Sequence, residues 1–198
     1  RERVASDQGT GPYWLRRSPG LIPLITSLRV GTVRELFQAN SESSGGLFAA
    51  VDDIVYFGAS LYSMSAFPTK LNAATGFVQM AASVTSLMII SDRWLYRING
   101  GSLTLVALDF TPIGVVFIKN YFVALASNGQ FYWSEDDGAT FPADQVQYAE
   151  ADSNSVLAIQ VIHQQLYLIG SRITQIFFVG NNPNAPFVPN DAGVIRSG

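Results

Sequence analysis

No cysteine occurs in the 198 residues of this chain. Without thiols there is no disulfide framework, no thiolate zinc site and no cysteine nucleophile. Such a composition suits a cytosolic or virion protein better than a small secreted domain held by disulfides. Histidine is almost as scarce. His163 stands alone, so no multi-histidine metal site is available and a general base is not to be assumed. Its place between two apolar runs, beside Gln164-Gln165, reads as a solvated turn. Among the twelve basic residues only Lys70 and Lys119 are lysines, and the net charge is −3. No basic stripe exists that would bind phosphates through counterion release. An acidic wall instead lets a polyanion slide past without retaining it. Charged residues make up 14% of the chain, against about 25% in an ordinary globular domain. A large buried sheet and a surface covered by another subunit each account for that deficit. No apolar run approaches the ~20 residues of a membrane-spanning helix, and no signal peptide is visible. The chain opens on Arg1 rather than Met and stops at Gly198 without a closing element, which reads as a segment of a longer polypeptide.

Helical periodicity is also missing: no segment keeps an apolar stripe for more than about two turns. What is present is a series of short β-rich runs punctuated by Gly, Asn, Asp and Ser, the pattern of strands joined by tight turns. The spacing predicts strands at Thr32–Gln38, Leu47–Val51, Ile54–Phe57, Leu61–Met64, Phe77–Met80, Ser83–Ile90, Trp94–Ile98 and Leu103–Ala107. It predicts further strands at Ile113–Ile118, Tyr121–Ser127, Gln130–Ser134, Val156–Ile162, Gln165–Ile169 and Ile173–Val179. Asn99-Gly100-Gly101, Ser127-Asn128-Gly129 and Asp136-Asp137-Gly138 mark hairpins, since their turns need residues that tolerate φ > 0. A strand–turn–strand unit recurs at Ile54–Met64, Leu87–Ile98, Tyr121–Ser134 and Leu166–Phe178. Aligned on their turns, Gly58, Ser91, Ser127 and Gly170 fall in register at the interval of propeller blades. The expected fold is therefore all-β: a β-propeller of about four blades in this segment, with the aromatic hairpins as inner and middle strands. Residues 1–29 read as an extended N-terminal arm and 30–180 as blades. The stretch Ala139–Asp152 reads as a polar loop between blades, and 181–198 as an irregular connector.

The most specific local motif is Ser134-Glu135-Asp136-Asp137-Gly138-Ala139-Thr140-Phe141. It resembles the Asp-box of propeller hairpins. The Asp136 carboxylate would accept turn N–H groups, Gly138 would supply a left-handed conformation and Phe141 would anchor the hairpin. In sialidases this box lies away from catalysis, so it reports fold rather than activity. Asp52-Asp53 and Asp136-Asp137 are adjacent pairs at turns. Neighbours in a strand point to opposite faces and do not converge as glycosidase carboxylates must. No dinucleotide fingerprint, P-loop or nucleophile elbow is present. No catalytic, cofactor-binding or metal residue is assigned, and no enzyme activity is expected. In the arm, Tyr13, Trp14, Arg16 and Arg17 form an aromatic–arginine cluster of the kind that dominates interface hot spots. It would anchor the arm on a neighbouring subunit or on its own propeller.

Two regions carry a family resemblance. One is Trp14-Leu15-Arg16-Arg17-Ser18-Pro19-Gly20-Leu21. The other runs from Tyr121 to Phe187, through Asp137-Gly138 with Phe141, Ala149-Glu150, Val156–Ile159, Leu166–Gly170, Ile176-Phe177-Phe178 and Ala185-Pro186-Phe187. Their order resembles that of the packaged-DNA stabilisation proteins of short-tailed bacteriophages, the tail hub or nozzle proteins. Gln175, Asn154-Ser155 and His163-Gln164-Gln165 depart from the family pattern. The resemblance implies a virion structural protein of the viral tail, present in the host cytoplasm during assembly. It implies a homo-oligomeric ring, commonly a hexamer, below the portal and its adaptor (the head-to-tail connector). Such a ring extends the DNA channel, is closed by a tail needle or plug until DNA ejection, and receives tail fibres or spikes. DNA would pass through the lumen without specific binding, with no membrane anchor and no cofactor. The alternative reading is a carbohydrate-binding or glycosidase-like propeller, which would need acids and arginines gathered at the axis.

Overall fold

The computed structural model describes residues 31–39, 46–58, 64–135, 137–149 and 156–196. Within them lie sixteen strands and no helix. They are β1 (Val33–Ala39), β2 (Gly46–Val51), β3 (Ile54–Gly58), β4 (Met64–Ala66), β5 (Val78–Ala82), β6 (Ser86–Ser91), β7 (Trp94–Asn99) and β8 (Ser102–Leu105). There follow β9 (Pro112–Ile118), β10 (Tyr121–Ala126), β11 (Gln130–Ser134), β12 (Val146–Tyr148), β13 (Val156–Ile162), β14 (Gln165–Gly170), β15 (Ile173–Val179) and β16 (Phe187–Arg196). Each consecutive group of four forms one antiparallel meander, giving four separate four-stranded sheets.

Local chemistry explains the hairpins. The links Asp52-Asp53, Asp92-Arg93, Gly100-Gly101, Lys119-Asn120 and His163-Gln164 each place at least one residue at positive φ. Backbone of that hand matches the twist of the flanking strands. Asp and Asn tolerate it well and Gly freely.

Side-chain alternation then assembles the sheets. In β6, Leu87 and Ile89 face the first sheet while Met88 and Ile90 face the third. In β10, Phe122 faces the second sheet while Val123 and Leu125 face the fourth. A strand buried on both faces reads as a continuous apolar run, as SLMIIS and YFVALA do. Three layers of the core thus lie at the junctions between successive sheets, and a smaller cluster of Ala49, Val51, Tyr56 and Met64 lies on the other face of the first sheet. The layer between the third and fourth is the most aromatic. Phe131 meets Phe177 and Phe187 edge-on at 5.4 and 5.5 Å, and Trp133 meets Phe187 at 5.7 Å. Each such buried ring contributes about 1.5–3 kcal/mol. The first strands of successive sheets contact one another, β1 with β5, β5 with β9 and β9 with β13. These are the axial strands of a β-propeller whose blades radiate outward.

Five sequence expectations are corrected. The first aromatic unit, Ile54–Met64, belongs to the third and fourth strands of its blade, whereas the other three units are second and third strands. The counterpart of Ser91 in the first blade is Val51, which precedes the Asp52-Asp53 turn. The hairpins are consequently middle strands, and the inner positions go to β1, β5, β9 and β13. Within Ala139–Asp152, residues Val146–Tyr148 form β12, an edge strand on β11. Within 181–198, residues Phe187–Arg196 form β16 and complete the fourth blade.

Candidate functional site

The axial strands enclose a cleft of about 510 Å³ lined by Glu35 of β1, Gln79 of β5, Ile113 of β9 and residues 157–160 of β13, with Phe77 at its rim. Two features set its width. Gly114 of β9 comes so close to β13 that a Cβ there would lie 2.7 Å from Ile159 Cγ2. Beside it, Val115 N donates to Gln79 Oε1 at 3.1 Å, tying β9 to β5. Among the described residues of the lining, Glu35 is the one ionisable group. Burial pushes its carboxyl above the usual range, because the charged form loses hydration.

Arg34, the preceding residue, is committed elsewhere. Its Nε donates to Gly76 O at 3.1 Å. Its Nη1 donates to Asp52 O at 2.9 Å and Ala73 O at 2.6 Å. Its Nη2 donates to Thr75 O at 2.7 Å and Ser91 Oγ at 3.0 Å. One guanidinium thereby fastens β1, the turn after β2, the connector between the first two blades and the end of β6. Burial lowers its pKa, and the nearby carboxylates Asp92 and Asp52 oppose that shift.

A second fastening joins the second and third blades. Asp137, on the loop after β11, accepts from the hydroxyls of Ser83 and Thr85 and from Ser86 Oγ at 2.6 Å. Arg97 donates its Nε to Asp137 O at 3.0 Å and brings Nη2 within 3.6 Å of Asp137 Oδ2. Ser86 Oγ is used fully, since it also accepts from Arg97 Nε at 3.2 Å and Asn99 Nδ2 at 2.8 Å. Burial by itself would raise the Asp137 pKa. The three hydroxyl bonds and Arg97 outweigh it and hold the carboxyl below its ordinary value. Between the third and fourth blades the polar tie is lighter: Lys119 Nζ donates to Val179 O at 3.1 Å.

The Asp-box-like segment lies in the same junction. Gly138 has φ +81, and its N donates to Ser134 Oγ at 3.0 Å. A Cβ on Gly138 would sit 2.6 Å from Met88 Sδ of the second blade and 3.1 Å from Phe122 Cδ2. Phe141 packs against the apolar layer of this junction and meets Phe110 edge-on at 6.4 Å. Asp136 lies outside the described residues, so its expected turn contacts do too. The carboxylate that organises the junction is its neighbour Asp137. Sequence reading gave Asp137 no role of its own, because nothing local links it to a hydroxyl-rich turn more than fifty positions earlier. Ser83-x-Thr85-Ser86 was the available signal. Arg34, Glu35 and Gly114 were missed for the same reason. Tyr13, Trp14, Arg16 and Arg17 lie outside the described residues. His163 sits exposed in its two-residue turn at φ +48.

Among the described residues no group of three or more His, Asp or Glu side chains is placed to hold a metal ion. A glycosidase needs two carboxylates about 5–10 Å apart, and the described lining of the axial cleft offers Glu35 alone.

No curated protein matches the sequence. The family model described as "Phage_stabilise: Bacteriophage P22 Gp10, beta-propeller" matches residues 6–198. Among solved structures, the computationally designed Ika4 protein is similar at TM-score 0.56 and 12% identity, covering 79% of this chain and 98% of that one. BBS1N, solved in complex with ARL6DN, gives 0.56 and 12% over 84% of this chain. The match spans 54% of the BBS1N chain, about half its length. YCF48 bound to D1 peptide gives 0.52 and 9%, covering 93% of this chain and 59% of that one. At these identities the likeness is one of fold alone.

Proposed function

The chain belongs to the phage-stabilisation family of P22 Gp10-type β-propellers and is a phage structural protein, and on that premise we propose that it is a ring-forming subunit of the tail hub. In this reading copies of the chain form a ring, commonly a hexamer, beneath the portal and adaptor. The ring extends the DNA channel, a needle or plug closes it, and fibres or spikes attach outside. The protein is made in the host cytoplasm and ends in the virion tail.

The observation that carries the proposal is the way the blades are fastened. Each junction combines an apolar layer with a polar tie: Arg34 at the first, Asp137 with Arg97 at the second, Lys119 at the third. A wall that resists internal pressure and the passage of DNA needs blades that cannot slide, and charge-assisted bonds across each packed junction resist sliding. The net charge of −3 favours passage of a polyanion over its retention. Native mass spectrometry and negative-stain imaging of the full-length protein, alone and with an adaptor ring, test it. Rings are expected; a stable monomer in both samples would sink the proposal. The carbohydrate-directed alternative has less to stand on, with one carboxylate in the described axial lining. A glycan array giving clear hits would revive it.

A further inference from the structure

The axial cleft is chemically incomplete. Glu35 has no ion-pair partner among the described residues, and apart from Gln79 and Gln160 the described side chains of the lining are apolar. Phe77 and Leu157 in the lining are 59% and 65% exposed, and Val33 and Leu36 on β1 exceed half. A half-buried carboxylate with exposed apolar side chains beside it matches a ligand with an aliphatic or aromatic body and one cation. The cation restores a charge-assisted bond, and the body covers the rim. A cleft of about 510 Å³ falls in the range of about 300–1,000 Å³ that binding pockets occupy.

Charge is divided sharply along the chain. Residues 1–30 carry Arg1, Arg3, Arg16, Arg17 and Arg29 against Glu2 and Asp7, a net of +3. Residues 31–198 carry the other 7 basic and 13 acidic residues, a net of −6. The blades' own cations are largely engaged: Arg34 and Arg97 in the blade fastenings, Lys70 with Asp53 at 2.7 Å. In the arm, Tyr13-Trp14-Leu15-Arg16-Arg17 combines large apolar side chains with adjacent guanidinium groups.

We propose that the cleft where β1, β5, β9 and β13 converge is the receptor for the Tyr13–Arg17 segment of a second copy of the chain. One of the two arginines pairs with Glu35, and Trp14 and Leu15 cover Phe77 and Leu157. This rests on the ring reading above and names the contact that links one copy to the next.

The absence of native cysteine makes disulfide trapping clean. Full-length chains bearing Ser18→Cys and Gln160→Cys are prepared separately, mixed at equal concentration and oxidised. A bridge forms only if the two Cα atoms come within about 7 Å. A disulfide-linked heterodimer is expected, reduced about tenfold by Glu35→Gln in the receptor chain or by Arg16→Gln with Arg17→Gln in the donor. No heterodimer, or one indifferent to those substitutions, overturns the proposal. So does a chain with both cysteines that forms only an internal bridge. Native mass spectrometry of the same samples separates this from the hub reading. Rings that persist without the trapped pair sink the docking and leave the hub; trapped pairs without rings do the reverse.

Discussion

Asp137 and Glu35 are carboxylates with opposite fates, and the difference is local solvation. Both lose water on folding, but Asp137 gains three hydroxyl donors and Arg97 while Glu35 gains no cation among the described residues. Their contributions to stability therefore depend on pH with opposite sign. Asp137 titrates lower in the folded state than in the unfolded chain. Its stabilisation is present in full above the ordinary Asp pKa of about 4 and fades as pH falls through the folded value. Glu35 titrates higher when folded, so its ionisation opposes folding once pH rises past the ordinary Glu range. Asp137→Asn is expected to cost about 1–3 kcal/mol at pH 7 and to flatten the loss of stability below pH 4. Glu35→Gln should leave stability at pH 7 equal or slightly higher. Urea melts at pH 3 to 7 measure both; an Asp137→Asn variant that keeps the wild-type acid profile contradicts the assignment. Gly138→Val combines a disfavoured backbone with a clash against Met88 and Phe122. A cost of about 2–4 kcal/mol is expected, with Gly138→Ala intermediate. A variant melting like wild type would mean the turn does not adopt this conformation.

At the scale of elements, strands with strong alternation and tight turns were readable, edge strands such as β1 and β8 among them, and two outer edge strands, β12 and β16, were not. β12 is three residues long and lies at an edge, where one partner suffices and little is buried. β16 contains Pro189 opposite Phe177, next to a register shift. Proline is accommodated at edges and irregularities, so a segment rich in Asn and Pro still completes a blade. The first hairpin was placed one strand too far along because IVYFG resembles the middle strands of the other blades in composition. Only pairing distinguishes a third strand from a second. The connector between the first two blades depends on Arg34, whose planar fork reaches carbonyls at several angles. Arg34→Lys offers one point of donation in place of that fork. It should lower stability by about 1–3 kcal/mol and speed amide exchange across residues 73–77, read by hydrogen–deuterium mass spectrometry. Unchanged protection there would mean the connector holds by itself.

Across the whole molecule, successive blades share apolar layers and are pinned near the axis by Gly114 and Gln79. Gly114→Val is expected to push β13 away from β9 and weaken the junction of the third and fourth blades. Tryptophan fluorescence should report it through Trp133, which is packed in that layer. The acidic balance of residues 31–198 carries a second expectation. Linear double-stranded DNA should bind more weakly than about 10⁻⁴ M at physiological salt, the loose end of ordinary non-specific affinity. A gel shift at micromolar protein would contradict a wall that lets DNA pass.

Composition and short-range order determined the class of this protein. Period-two alternation, turn residues that accept positive φ and a recurrence near forty residues are properties of neighbouring positions, and they survive without knowledge of the fold. They placed most strands, implied blades and withheld any catalytic constellation. Tertiary structure alone decided which carboxylate binds the Ser83–Ser86 turn, that Arg34 spans a blade junction, and that Glu35 stands in the axial cleft. Those contacts join residues about fifty positions apart, such as Asp137 with Ser86 and Arg34 with Ser91. Sequence spacing carries no record of such meetings, because they come about only when one blade packs its apolar face against the next.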